Sequence, residues 1–221
     1  MTYGNFGGAQ DFNFGSLSYF PTPGKIYRVD VSTDLYGSIS SEYFQPLPVE
    51  VDMVVLKTLG KNPSIGENVN DVQYKVTFTD PPEENFYQII IKRQSDDSSF
   101  PQSSQQNNIS FVDPAYKEAN EIFGQYSTMC FTDSFFNDKK TSLDFKSFIS
   151  EYPDRPLDYC SIYLNNISKE YYYYLKTFYL QDANLDDPFA QPVQVVNNIH
   201  NGFGIFAGYT QTVKIFKVTD W

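Results

Sequence analysis

The chain of 221 residues is long enough to bury a hydrophobic core, and its length suits one large β domain or two small ones. Aromatic residues make up 18% of the chain, which favours strands because rings pack well on a pleated surface. The formal net charge of −11 argues against binding to a nucleic-acid backbone, and no apolar run reaches the roughly 18 residues of a membrane-spanning helix.

The first part of the chain predicts short strands after an irregular beginning. Residues 1–20 show no clean period, and we interpret them as a loop or an irregular edge. Alternation of apolar and polar side chains then predicts three strands, over residues 26–31, 38–44 and 49–55. The segment 59–71 is rich in Gly, Pro and Asn and is predicted to be a linker. This linker divides the chain into a first β domain (1–58) and a second one (72–221).

The middle of the chain predicts two long strands and a short helix. Residues 72–79 alternate strictly between apolar and polar side chains, whereas residues 86–92 are apolar on both faces, which indicates a central strand. Asp113 is a good N-cap for a helix that runs to Phe123, and Gly124 is expected to end it in the left-handed conformation. Three further strands are predicted over residues 125–132, 143–146 and 158–164.

A run of four tyrosines follows, and its apolar residues have the spacing of a helix. The spacings are four, three, one and three, through Ile167, Tyr171, Tyr174, Leu175 and Phe178. This period favours a helix over residues 169–180, with Ser168 as its N-cap. A strand is the alternative, because Tyr and Phe are also strand formers.

The pair Asn201-Gly202 is the strongest hairpin signal in the chain, because both residues accept a positive φ. Residues 193–198 and 203–209 are predicted to be the two strands of this hairpin, and residues 212–218 a final strand. Together the patterns predict a mainly β fold, with antiparallel strands in a sandwich or barrel and one or two short helices.

Three glycines share one face of the second hairpin strand, namely Gly202, Gly204 and Gly208. A strand face without side chains lets a large element pack directly on its backbone. We therefore expect the helix over 169–180 to lie against this face, with the Phe178 ring near Gly204.

Few residues offer catalytic or metal-binding chemistry. His200 is the only histidine, and beside the predicted turn it is interpreted as an exposed turn residue rather than a general base. A calcium site is a weak candidate, with oxygen ligands from Asp182, Asn184, Asp186 and Asp187. This segment lacks the central Gly and the terminal Glu of an EF-hand loop. No phosphate-binding motif is present. Because the single histidine is predicted to be exposed and the chain has only three His and Cys residues, we expect no cofactor, no resident metal and no enzymatic activity.

Cysteines and exposed tyrosines are the remaining candidates. Cys130 and Cys160 fall on two predicted strands, and a disulfide between them and a pair of buried thiols are both open at this point. Tyr172, Tyr173 and Tyr179 lie off the apolar stripe of the predicted helix, and they are candidates for an aromatic surface that binds a glycan or a peptide.

Several segments together resemble a Bacteroidota envelope lipoprotein family known as DUF4249. Residues 80–87 (DPPEENFY) are similar to the family's DP…NYY turn, and residues 131–137 (FTDSFFN) to its F-D-x-x-F-N-G turn, with Asp138 in place of the usual Gly. Residues 167–175 (ISKEYYYYL) resemble its IS-x-EYY-x-Y helix. The most specific likeness is that of residues 188–208 to its PF-x-x-P-V-x-V-x-x-NI-x-NG-x-GIF-x-G ending.

The family resemblance implies a localisation and a partner, neither of which can be inferred from the composition. Members have a signal peptide, a lipidated Cys near the mature N-terminus and an Ig-like first domain, whose end resembles Pro23 to Tyr27 here. Met1 begins a polar, Gly-rich stretch with none of these features, so we expect a truncated chain. The resemblance implies a lipid-anchored outer-membrane protein that assists a TonB-dependent receptor as an accessory or ligand-binding subunit. A surface adhesion or glycan-binding module is the alternative.

Overall fold

The computed structural model describes residues 2–6, 9–13, 20–34, 37–94, 105–106, 108–150, 159–185 and 189–217. The strands are β1 (Thr2–Phe6), β2 (Ala9–Asn13), β3 (Ile26–Thr33), β4 (Gly37–Phe44), β5 (Val51–Lys61), β6 (Val69–Thr79), β7 (Phe86–Gln94), β8 (Gln105–Gln106), β9 (Ser110–Phe111), β10 (Met129–Thr132), β11 (Lys140–Ser150), β12 (Tyr159–Ile167) and β13 (Tyr209–Lys217). The helices are α1 (Lys117–Phe123) and α2 (Lys169–Ala183). The predicted mainly β fold with two short helices is confirmed.

Two antiparallel sheets form the larger part of the structure. The first has the strand order β10-β7-β12-β13, with β8 beside β7, and the second has the order β5-β6-β11-β9. The ring of Phe78 on β6 lies 5.2 Å from the ring of Tyr87 on β7, so the inner faces of the two sheets meet. This arrangement is a sandwich. The pairs β1-β2 and β3-β4 form two separate two-stranded sheets, the first of them where the sequence predicts a loop or an irregular edge.

The alternation of β6 builds the centre of the core. Its inner residues are completely buried, namely Val72, Tyr74, Val76 and Phe78. β7 lies between β10 and β12, which confirms its predicted central position. Its inner face buries Tyr87, Ile89 and Ile91 completely. Burial of each such side chain stabilises the fold by about 1.5–3 kcal/mol, so these two strands fix the register of both sheets.

Both helices belong to the outer side of the first sheet. The ring of Phe86, on the outer face of β7, lies 5.2 Å from the ring of Tyr172 on α2, and α2 also pairs with α1. The predicted helix over 169–180 is confirmed and continues to Ala183. The tertiary contacts of this helix override the strand propensity of its tyrosines.

The start of α1 follows the prediction and its end does not. The Oδ1 atom of Asp113 accepts a hydrogen bond of 2.9 Å from the Ala115 N–H, at the beginning of a single 3-10 turn that leads into the helix. Gly124 has a φ of −62°, so the left-handed conformation predicted for it is wrong. Its N–H still reaches the Asn120 carbonyl at 2.9 Å, which continues the helical hydrogen bonding by one residue.

The predicted linker is a strand connection. β5 runs to Lys61, β6 begins at Val69, and the two strands pair along most of their length. The Gly and Asn residues of segment 59–71 form the turn and a bulge between Thr58 and Gly60. β5 therefore shares a sheet with β6, which lies on the other side of the predicted domain boundary. The Ig-like nature of the first domain stays a prediction.

The predicted hairpin around Asn201-Gly202 is wrong. Asn201 does have a positive φ of +59°, but residues 191–208 form no strand and make a single bridge, from His200 to Ser40 on β4. The side chain of Asn198 accepts a hydrogen bond from the Phe206 N–H at 2.9 Å and donates one to its carbonyl at 2.8 Å. This amide takes the place of a backbone ladder, because Asn side chains compete with strand pairing.

The glycine face packs against β4 rather than against α2. A Cβ atom at Gly208 would overlap the Tyr43 ring and the Gln45 side chain, and one at Gly202 would lie 3.2 Å from Ile39. The Phe178 ring instead stacks beside Tyr174 at 6.0 Å, so the predicted contact with Gly204 is also wrong. The glycines let the backbone of residues 202–208, part of what we call the C-terminal segment (residues 189–208), approach the β3-β4 pair closely.

Candidate functional site

The three predicted surface tyrosines do not form one exposed patch. Tyr172 is only 9% exposed beneath α2, Tyr179 is half-buried, and Tyr173 is 39% exposed. Burial raises the pKa of Tyr172. The ring of Tyr179 lies 4.0 Å from that of Tyr126, where the two helices pack against each other. The geometry therefore leaves one accessible ring for stacking, which weakens a glycan-binding surface built on all three.

The face of α2 that is buried in the structure differs from the apolar stripe predicted from the sequence. Tyr172 and Leu175 are the buried residues of α2, whereas Phe178, which the helical spacing assigns to the buried face, is 41% exposed. Since nearly every position from 171 to 179 is apolar or aromatic, the period identifies a helix but does not say which stripe faces the sheet.

Cys130 and Cys160 lie on opposite faces of the first sheet. Cys130 pairs in register with Gln88 on β7, whereas Cys160 pairs with Arg93, an odd number of residues further along that strand. Both cysteines are completely buried, the first under the helices and the second between the sheets. A disulfide needs Cα atoms within about 7 Å, so a bond between them is incompatible with this arrangement. The alternative of two buried thiols fits it, and burial raises the pKa of Cys130.

A buried carboxylate joins the turns of two sequence motifs. Asp80 directly follows β6 and is 2% exposed. The hydroxyl of Tyr87 donates to its Oδ1 atom at 2.5 Å, and the N–H of Asp138 donates to its Oδ2 atom at 3.0 Å. Burial raises the pKa of Asp80 to about 6, although both hydrogen bonds act in the opposite direction. Asp138 has a φ of +58°, which explains why Gly suits this position.

A second set of polar side chains continues this network towards α2. The Asn85 N–H donates to the Oδ2 atom of Asp133 at 2.7 Å, and the Asn85 side-chain carbonyl accepts from the Asn166 amide at 2.9 Å. The same amide of Asn166 donates to the Leu47 carbonyl at 3.0 Å. All three polar side chains are at most 4% exposed. The network therefore holds the 80–86 turn, the 132–138 turn and the segment that follows β4 at one end of the sandwich.

A cleft of about 220 Å³ opens beside this network, at the N-terminal end of α2. Its walls are the end of β4, the turn before β7 and the first turn of α2, with the lining residues Phe44, Pro46, Leu47, Glu83, Glu84, Asn85, Phe86, Asn166, Ile167, Ser168, Lys169 and Glu170. Ser168 occupies the N-cap position but makes no side-chain capping bond. Its hydroxyl is buried without a hydrogen-bond partner among the described residues.

Other predicted sites are not assembled. His200 is exposed, as predicted for a turn residue, and its backbone pairs with Ser40. Asp182 accepts a hydrogen bond of 2.7 Å from the Tyr126 hydroxyl, while Asp186 and Asp187 lie outside the described residues. In the part of the chain that the structure describes, no three His, Cys, Asp or Glu side chains are grouped for a metal ion. The helices of that part are all too short or too polar to cross a membrane.

The sequence pointed to this end of the sandwich without revealing its geometry. Residues 80–87, 131–137 and 167–175 carry part of the family resemblance, and they supply most of the network and two walls of the cleft. The signal that could have joined the first two is chemical. Segments 80–87 and 131–137 both place Asp and Asn beside aromatic residues at a strand end, where buried polar groups need partners from other segments.

Comparison with known proteins gave one match. The sequence model of one protein family, described as "Domain of unknown function (DUF4249)", matches residues 3–215. The matched region includes every segment that builds the network and the cleft. Searches of curated proteins and of solved structures each returned no match.

Proposed function

Since this chain belongs to the DUF4249 family, we propose that it is a non-enzymatic binding protein of the bacterial cell envelope. In this proposal it is a lipid-anchored outer-membrane protein of Bacteroidota and an accessory subunit of a TonB-dependent transporter. The resemblance supports the compartment and the kind of partner. The contact with the receptor is supported by exposed aromatic side chains in the C-terminal segment.

The observation that carries this proposal is the exposure of two phenylalanines in an irregular but well-bonded segment. Phe203 is 98% exposed and Phe189 is 94% exposed. Burying a ring of this size in an interface yields about 1.5–3 kcal/mol, and aromatic residues are enriched among interface hot spots. Both rings are therefore suited to act as anchors that insert into a partner protein.

The backbone around Phe203 is held by hydrogen bonds on both sides. Asn197 donates its side-chain amide to the Gly202 carbonyl at 3.1 Å, and the Asn198 N–H donates to the Gly204 carbonyl at 3.3 Å. An anchor on a prearranged backbone loses less conformational entropy on binding than one on an unrestrained loop. This favours recognition of a protein surface by the segment rather than a role as a connection.

Site-specific photo-crosslinking in cells of the source organism tests the proposal. A photoreactive phenylalanine analogue replaces Phe203 or, separately, Phe189, and products are identified from the outer-membrane fraction. We expect crosslinks from both positions to a TonB-dependent receptor. The matched control carries the same analogue at Glu121, an exposed position of α1, and should give no receptor product.

Two results would count against the proposal. Crosslinking to the receptor with equal yield from the Glu121 position would indicate crowding rather than docking. Products from Phe203 and Phe189 that contain no TonB-dependent receptor would remove the transporter as the partner. Phe203→Ala should leave the free energy of unfolding within about 0.5 kcal/mol, since an exposed ring contributes little to the fold.

A further inference from the structure

The cleft at the N-terminal end of α2 has an apolar floor and an acidic rim. Phe44 is 48% exposed and Leu47 is 40% exposed, so both offer apolar surface to a ligand. Three carboxylates line the cleft against one ammonium group, Lys169. The Lys169 Nζ lies 2.9 Å from Glu84, which leaves Glu83 and Glu170 without an ion-pair partner among the described residues.

This charge pattern decides between two kinds of ligand. An uncapped helix N-terminus by itself attracts anions through about half a positive charge. Two unpaired carboxylates, Glu83 and Glu170, outweigh that partial charge and repel an anion. The whole chain, at a net charge of −11, adds to the attraction of a cation.

A buried hydroxyl, which can both accept and donate a hydrogen bond, adds a polar group that a ligand with N–H donors satisfies. Ser168 is 3% exposed, lines the cleft, and has an Oγ atom with no hydrogen-bond partner among the described residues. A buried polar group of this kind costs free energy unless a ligand satisfies it. Guanidinium presents five N–H donors in a plane, and its faces stack on aromatic rings such as that of Phe44.

We propose that this cleft binds the arginine side chain of an extended segment of a partner protein. The guanidinium lies over Phe44 and donates to Ser168 Oγ and to the carboxylates of Glu83 and Glu170, while its aliphatic stem contacts Leu47. The inference goes beyond the proposed function, because it concerns whichever partner carries the arginine. Its test uses short peptides, so failure here and failure of the receptor proposal are distinguishable.

NMR titration of the isotope-labelled protein with a pentapeptide tests the site. The probe is acetyl-Ala-Ala-Arg-Ala-Ala-amide, and the matched probes carry citrulline, lysine or glutamate at the central position. We expect saturable shifts at the backbone amides of Leu47, Asn85 and Lys169. The citrulline peptide, which keeps the shape but not the charge, should bind at least tenfold more weakly.

Variants separate this site from general attraction by an acidic protein. Glu83→Gln combined with Glu170→Gln should weaken the arginine peptide at least tenfold, and Ser168→Ala about threefold. The control is Glu67→Gln, an exposed glutamate in the turn at the far end of β6, which should leave the affinity unchanged. The same spectra report whether each variant is folded.

Several outcomes would overturn the inference. Equal binding of the citrulline peptide would show that charge is not recognised, and equal weakening by Glu67→Gln would show that the attraction is not local. Shifts of the same amides by the glutamate peptide would make the helix N-terminus an anion site. Absence of saturable shifts with the arginine peptide up to 10 mM would also refute it.

Discussion

The buried carboxylate of Asp80 should make the stability of this protein depend on pH. Its pKa is raised by burial to about 6, from an unfolded value of 3.8. Between these values the folded state binds more protons than the unfolded state, so the free energy of unfolding falls as pH rises through the folded pKa. Stability contributed by this proton is fully present below about pH 4 and is lost above about pH 6.

The size of the effect follows from the two pKa values. A shift of about two units corresponds to about 3 kcal/mol in total. Because the isoelectric point is near 4.4, the accessible range is pH 5 to pH 8, over which the linkage relation predicts a loss of about 1.4 kcal/mol. Asp80→Asn removes the titrating group. It also replaces one of the two accepting oxygens by an amide donor, opposite either the Asp138 N–H or the Tyr87 hydroxyl, which costs about 1–3 kcal/mol at every pH.

Equilibrium unfolding in urea, followed by far-ultraviolet circular dichroism, measures this difference. The free energy of unfolding of the wild type minus that of Asp80→Asn should fall by about 1.4 kcal/mol from pH 5 to pH 8. Asp34→Asn, on an exposed turn, corrects for the loss of one negative charge. A wild-type minus Asp80→Asn difference that is constant with pH, or that rises, would refute the reasoning about burial.

Three further predictions concern packing and the cysteines. Gly208→Ala should destabilise the protein by 2 kcal/mol or more in urea unfolding, because a Cβ there overlaps side chains of β4; a smaller effect would show that β4 moves freely. Tyr172→Ala should lower the free energy of unfolding by about 3–5 kcal/mol and Tyr173→Ala by less than about 1 kcal/mol, since the first ring is buried and the second exposed. Equal losses would contradict the orientation of α2. Without reductant, a thiol reagent should leave Cys130 unmodified in the folded protein and modify both Cys130 and Cys160 in urea; a chain that takes up no reagent in urea would contain the disulfide.

The elements that the sequence predicts best are those with a strong local period. The alternation of β6 and the helical spacing of α2 both survive in the structure. Burial of one face decides register in the strand, whereas the period of α2 leaves open which of its apolar stripes faces the sheet. The turn Asn201-Gly202 fails as a hairpin although its positive φ is correct. Local turn chemistry described the backbone of one residue, whereas the Asn198 side chain, which bonds to Phe206 eight positions along the chain, decided the pairing.

The features that escaped prediction depend on contacts between distant segments. The contact of Gly208 with Tyr43 joins residues 165 positions apart, and nothing in either segment identifies the other. The Asp80 network is similar, since the Asp138 N–H donates across 58 positions. Motif spacing therefore indicated which residues have a constrained role, but only the fold showed that they satisfy one another's hydrogen bonds.

The mutual hydrogen bonds of the buried network distinguish the residues that hold the cleft in place from the residues that are available to a ligand. Asn85, Asp133 and Asn166 bond to one another or to backbone groups of neighbouring turns, so their polar atoms are committed within the protein. Glu83 and Glu170 stand beside them and have no ion-pair partner among the described residues. The buried motif residues thus fix the walls of the cleft, because unsatisfied groups there would be costly. In our proposal the ligand is therefore recognised by the acidic rim. The charges of the rim are removed from water only when a cationic partner binds and pairs with them.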